Sequence, residues 1–191
     1  MLTHAVIRTI FRKKVILPRL NRNLNKMNNN CILHVGNLRN MASVYLRNGD
    51  QVLLLFRQGK SIVSNLWIGS AGGHFEPEEV HDARACVLRE LSEELGLDES
   101  SLQNLTLRYV TLRYTGQEIR QNYYFFADVA DRITPSSTEG ITRWFYIDEL
   151  SDIPMPFTAR YMIDHYIREG QYTDSLYGGI ANDNDVIFTK L

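Results

Sequence analysis

Three glutamates stand within five residues, Glu90, Glu93 and Glu94, with Arg89 directly before them. Positions i, i+3 and i+4 of a helix share one face, so these carboxylates are expected side by side. Like charges that close repel unless they are protonated, solvated or bridged by a cation. Oxygen-only ligands suit a hard divalent ion, Mg²⁺ or Mn²⁺, and such an ion serves chemistry on phosphate. The plain structural alternative is a solvated acidic helix face with Arg89 as a local counter-charge.

The stretch that carries them, GGHFEPEEVHDARACVLRELSEELGL over residues 72–97, has its own punctuation. Asp82 reads as the cap of a helix running to Leu95, and Gly96 as its stop. Ala85, Leu88, Leu91 and Leu95 recur at helical spacing and are expected to bury one stripe, turned away from the carboxylates. Gly72 and Gly73 lie in a run of three glycines within five residues, suited to tight turns.

Elsewhere the chain reads as strands. ASVYLR (42–47) and QVLLLFR (51–57) flank the turn signal NGD, giving a hairpin. Residues 59–67 and 69–76 read as loops. NLTLRYVTLRY (104–114), IRQNYYFFADV (119–129), ITRWFYI (141–147) and DVIFTKL (185–191) are β-rich, and 158–170 is amphipathic and helical. Many strands with two substantial helices give an α/β fold in which helices sandwich a sheet.

The 191 residues suffice for one sizeable core, and the hydrophobic and charged fractions, 44% and 23%, are those of a globular domain. Cys31 and Cys86 form neither a disulfide framework nor a metal spacing, so a reducing compartment, the cytoplasm, is expected. No apolar run is long enough to span a membrane, and no membrane partner is expected. The net charge of −1 conceals an asymmetry: residues 1–40 carry eight Lys or Arg and no Asp or Glu, leaving −9 on the rest. That head reads as a poorly ordered extension, with the domain proper over 41–191. An organelle-targeting peptide, an arm for an anionic surface and a leader before an internal start at Met27 or Met41 are the competing readings. The overall balance does not point to nucleic acid, although RNA-end processing through the head stays an alternative. A homodimer is also allowed.

The stretch from Gly73 resembles the Nudix box, G-x5-E-x7-R-E-U-x-E-E-x-G-U with U bulky and aliphatic. Gly73, Glu79, Arg89, Glu90, Leu91, Glu93, Glu94, Gly96 and Leu97 match in identity and order. One departure stands out: nine residues, rather than seven, separate Glu79 from Arg89, so Glu78 or Glu79 fills the upstream position. The resemblance implies a Nudix-type α/β/α sandwich with a mixed sheet, acting as a metal-dependent hydrolase of nucleoside diphosphate derivatives. It assigns Glu90, Glu93, Glu94 and Glu79 to the metal. Arg89 orients a carboxylate, and Glu90 or a loop carboxylate, Glu139 being the candidate, takes a proton from water.

The resemblance is looser on substrate. Trp67 before the glycines is similar to the wording of hydrolases of oxidised purine triphosphates such as 8-oxo-dGTP, which nominates Trp67, Gly72 and Gly73 as substrate-binding, with Tyr124 or Phe126 as further stacking surfaces. A nucleoside triphosphate, cleaved to monophosphate and pyrophosphate, is thus the leading expectation. Tyr114, 17 residues past the box, resembles dinucleoside polyphosphate hydrolases, an alternative. Leu112 and Arg113 stand where ADP-ribose hydrolases carry proline. Cys86, mid-helix among apolar residues, reads as packed rather than catalytic. A nucleotide-sensing module on the same fold is the non-enzyme alternative.

Overall fold

The computed structural model describes residues 37–57, 65–132, 135–137 and 139–191. The first 36 residues, with most of the basic head and Cys31, lie outside the described residues. Strand β1 (Asn37–Asn48) turns at Gly49 into β2 (Gln51–Arg57). Two short strands follow, β3 (Leu66–Ile68) and β4 (Ala71–His74), then helix α1 (Ala83–Leu95). The antiparallel pair β5 (Gln103–Tyr114) and β6 (Glu118–Asp128) leads to β7 (Gly140–Tyr146), α2 (Phe157–Arg168), β8 (Tyr177–Ala181) and β9 (Val186–Lys190). Asn37–Leu191 forms one compact unit. Its first strand starts four residues upstream of Met41, with Asn37–Asn40 paired to Glu118–Gln121.

Among the described residues the nine strands form one mixed sheet, in the order β3-β2-β1-β6-β5-β8-β9, with β4 on β1 and β7 on β2. β1 runs parallel to β6 and β5 parallel to β8, while the other pairs are antiparallel. Successive residues of a strand face opposite sides, and both sides are covered. Val44, Leu46, Phe125 and Ala127 pack with Cys86, Val87, Leu91 and Leu95 of α1. On the other side Tyr45, Tyr109, Tyr124 and Phe126 pack with Met162, Ile163 and Tyr166 of α2. Phe126 stacks between Tyr45 and Tyr166, at ring separations of 5.2 and 4.2 Å. The expected α/β/α sandwich is the fold observed.

Three strands lie where sequence gave loops or nothing. LWI, AGGH and YGGIA are too short or too glycine-rich to signal β structure, and they form because a neighbouring strand supplies the ladder. For β4 that neighbour is β1, where Met41–Val44 faces His74–Ala71.

Candidate active site

Helix α1 begins as its sequence says. The Asp82 carboxylate accepts from the N–H groups of Arg84 and Ala85, and Gly96 closes the helix at φ +64°. The buried face is not the expected stripe, however. It consists of Cys86, Val87, Leu91 and Leu95 together with Glu90 and Glu94, while Ala85 and Leu88 are only half-buried. Two carboxylates therefore lie at the margin of the apolar face, pressed against the glycine strand β4, rather than on the face away from it.

Gly73 shows why that strand is made of glycine. A methyl group there would lie 2.1 Å from Oε1 of Glu90, so the bare backbone is what admits the carboxylate. Next to it, the N–H of Gly72 donates to Oε2 of Glu94 at 3.0 Å. Burial, helped by repulsion from Glu90 and Glu139, pushes the Glu94 carboxyl up to about 7. Burial raises Glu90 as well, against the pull of Arg89.

Arg89 is the organising cation. Its Nε and Nη2 donate to the two oxygens of Glu79 at 2.8 and 3.0 Å, and Nη1 donates to Glu90 at 2.9 Å and Glu93 at 3.0 Å. Nη2 also donates to the carbonyl of His74. Glu79 further accepts from the N–H of Glu76, and with Arg89 as the main cause its carboxyl is held down at about 2. Glu79, not Glu78, is thus the acid that meets Arg89, in spite of the longer spacing.

A cavity of about 420 Å³ opens over these groups, lined by Glu90, Glu94, Arg89, Glu76, Glu139 and Arg57 among others. Glu139 enters from the loop before β7 and pairs with Arg57 at 2.9 Å. Glu93 does not line it; its side chain is 59% exposed and reaches the cluster only through Arg89. Glu76 and Arg57 were not singled out from sequence. Glu76 sits inside the motif without a pattern position, and Arg57 is brought in by the β2–β7 register, Arg57 facing Gly140.

A second cavity, about 180 Å³, lies between the sheet and the start of α2, and shares Met41, Arg57 and Gly72 with the first. Asn122, Tyr124 and Phe157 line it. Trp67, expected to stack on substrate, lines neither cavity: its ring packs on Phe56 at 5.1 Å and edge-on to Phe145 at 4.7 Å, and its backbone N–H donates to the carbonyl of Pro154. The Leu66–Ile68 ladder with β2 sets that ring, partly buried, against the core. Phe126 is core as well, and Tyr114 is exposed at the β5–β6 turn, its hydroxyl on the carbonyl of Gly116.

The NUDIX domain family matches residues 37–166. The chain belongs to that family. Membership makes it a pyrophosphohydrolase of the Nudix type, a class that generally uses divalent metal ions. Among solved structures it is similar to a MutT protein from Bacillus halodurans, 21% identical over 80% of this chain and 97% of that one, with a TM-score of 0.55. A NUDIX hydrolase from Nitrosomonas europaea is 19% identical over 78% and 82%, with a TM-score of 0.60. An Ap4A hydrolase from C. elegans is 14% identical over 67% and 94%, with a TM-score of 0.54. At such identities the likeness is one of fold. No curated protein matched the sequence.

Among the described residues, no three His, Cys, Asp or Glu side chains are gathered into a ready-made metal site, and Arg89 engages Glu90 and Glu93. The donor chemistry nevertheless fits a hard cation. Glu94 is a buried carboxylate whose one hydrogen bond among the described residues is from the Gly72 N–H, beside a second buried carboxylate, Glu90. Burying such a pair is costly without a counter-charge. No helix among the described residues is long and apolar enough to cross a membrane.

Proposed function

We propose that this Nudix chain hydrolyses a phosphoanhydride bond in a nucleoside diphosphate derivative, with Mg²⁺ or Mn²⁺ held by Glu90 and Glu94 and by Glu93 beside them. The observation that carries this reading is the buried Glu90–Glu94 pair on the wall of a cavity that continues into an arginine-lined one. Bound metal would polarise phosphate oxygens and lower the pKa of water. The chain's own residues do the rest. Arg89 fixes the Glu90 carboxylate, and Gly73 lets it sit against the backbone. Glu79 serves as the anchor of Arg89 rather than as a free ligand. Arg57, which lines both cavities, would meet substrate phosphate, and it holds Glu139. Water attacks phosphorus, its proton passes to Glu90 or Glu139, and the bridging P–O bond breaks with the leaving phosphate taking the electron pair.

A nucleoside triphosphate, giving monophosphate and pyrophosphate, is the substrate we propose. Stacking on Trp67 does not support it, because that ring packs on Phe56 and Phe145; the arginine-lined cavity beside the carboxylates does. The test is a panel with Mg²⁺ containing canonical and oxidised nucleoside triphosphates, ADP-ribose and dinucleoside polyphosphates, with phosphate and pyrophosphate read separately. Pyrophosphate release from a triphosphate is expected. Turnover of ADP-ribose or a dinucleoside polyphosphate alone would overturn the substrate, and no turnover of any member would overturn the reaction.

A further inference from the structure

The smaller cavity carries an arrangement that a base pocket does not require. Arg39 on β1 stands directly opposite Arg120 on β6, and Arg120 stands directly opposite Arg113 on β5. Residues opposite in register point to the same side of a sheet. Three arginines therefore form one row across three adjacent strands, and all three line the cavity. The next rows inward are Met41–Asn122–Thr111 and Ser43–Tyr124–Tyr109, so the charge sits at the rim and the aromatic rings below.

Like charges directly opposite on neighbouring strands repel, and little in the chain neutralises these. Glu118 pairs with Arg120 at 2.6 Å and with Arg39 at 3.7 Å. Arg113 forms no ion pair among the described residues; its guanidinium lies over the Phe157 ring, 4.4 Å from the centroid. Every Asp and Glu of the chain is among the described residues, so no hidden carboxylate completes the set. One carboxylate thus serves two of the three guanidiniums, and among the described residues none pairs with the third. The facing wall is the first turn of α2, which follows Pro156 with no side-chain cap and leaves its leading N–H groups for another acceptor.

The row also has a direction. Arg39 donates to the ring of His74, which belongs to the carboxylate cavity, while Arg113 is at the far side, over Phe157. With strands about 4.8 Å apart, the row spans roughly 10 Å. That is too long for a single phosphate and suits a short chain of them, leading away from the proposed cleavage site.

We propose that Arg39, Arg120 and Arg113 form a track for an oligophosphate chain, so that the enzyme selects substrates with three or more linked phosphates over those with two. The track is a specificity device for the reaction proposed above, and rests on that reading for the cleavage but not for the binding. Guanidinium groups suit it because each can grip two oxygens of one phosphate.

The binding is testable without metal, base or turnover. In EDTA at fixed ionic strength, inorganic phosphate, pyrophosphate and tripolyphosphate are titrated calorimetrically into the full chain. Affinity is expected to rise along that series, by about tenfold or more between the ends, as each further charge-assisted contact forms. Arg113→Gln should erase most of that rise while leaving phosphate binding little changed, and Arg113→Lys should restore part of it. Arg120→Gln provides a second probe should the first variant prove unstable, with melting curves run on both. Equal affinity for phosphate and tripolyphosphate, or a rise that survives both Gln variants, would overturn the track. Tripolyphosphate selectivity in a chain that hydrolyses no triphosphate would support the track and count against the proposed reaction instead.

Discussion

The two cavities that meet at Arg57 are opposites. One gathers two buried carboxylates from a single helix turn, with the partly exposed Glu139 from a loop; the other lines up guanidiniums from three strands. Each concentrates one sign of charge and leaves it incompletely paired, a local cost that an isolated domain has no reason to carry. A divalent cation for the first and a phosphate chain for the second would cancel both costs, and the two ligands attract each other. The difference lies in support. The acidic cavity has a dedicated cation, Arg89, which ties Glu79, Glu90 and Glu93 into one rigid unit. Among the described residues the arginine row of the basic cavity has only Glu118 and an aromatic face, so it is built to be completed by something that arrives.

The largest effect is expected at Glu94. Glu94→Gln keeps the shape and removes a charge, and should lower the rate about 10²-fold, or roughly 3 kcal/mol in the barrier. Its effect on the metal-free fold has the opposite sign. The folded carboxyl, at about 7, lies above its ordinary value of 4.5, so its contribution to stability is fully present below pH 4.5 and is lost as pH rises through 7. Metal-free wild type should lose melting temperature across that window, and the Gln variant should lose less.

Arg89 comes next, and there the expected damage is structural. Arg89→Met strands Glu79, at about 2 one of the most stabilised carboxylates of the site. Denaturant unfolding should show a loss of about 3 kcal/mol at neutral pH, the cost of leaving a buried partner unpaired. Because that carboxyl is depressed, its contribution is present above pH 4.5 and fades as pH falls towards 2. The variant and wild type should therefore converge in acid.

A smaller loss is expected from Gly73→Ala, whose methyl would lie 2.1 Å from the Glu90 carboxylate. Displacing that group should lower kcat/KM by about tenfold or more with little change in melting temperature. Smallest of all is Trp67→Phe. With the ring packed on Phe56 and Phe145, it should cost about 1 kcal/mol of stability and leave KM nearly unchanged. Phe157→Ala, by contrast, should raise KM. If Trp67→Phe raised KM more than Phe157→Ala, the smaller cavity would not be a substrate site.

The two cavities were unequally legible in the sequence, for a physical reason. Glu90, Glu93 and Glu94 are neighbours on one helix, so spacing alone brings them together, and Asp82 and Gly96 mark that helix at both ends. The arginine row joins positions 39, 113 and 120, and only the β1–β6 and β6–β5 registers reveal it. Trp67 illustrates the limit from the other direction: its place next to the glycines is a chain distance, whereas its ring direction is set by pairing with β2. The burial of Glu90 and Glu94 was hidden similarly, because helical periodicity places acidic residues on a face but does not say that a strand of glycines will cover it.

Metal binding tests the central claim most directly, since it asks whether the acidic cavity exists for a cation. Mg²⁺ titrated calorimetrically into wild type and Glu94→Gln, with melting curves alongside, gives the answer. The expected result is saturable binding that raises the melting temperature of wild type, against weak or absent binding in a variant at least as stable when metal-free. Equal Mg²⁺ binding by both proteins, or none by wild type, would contradict the account.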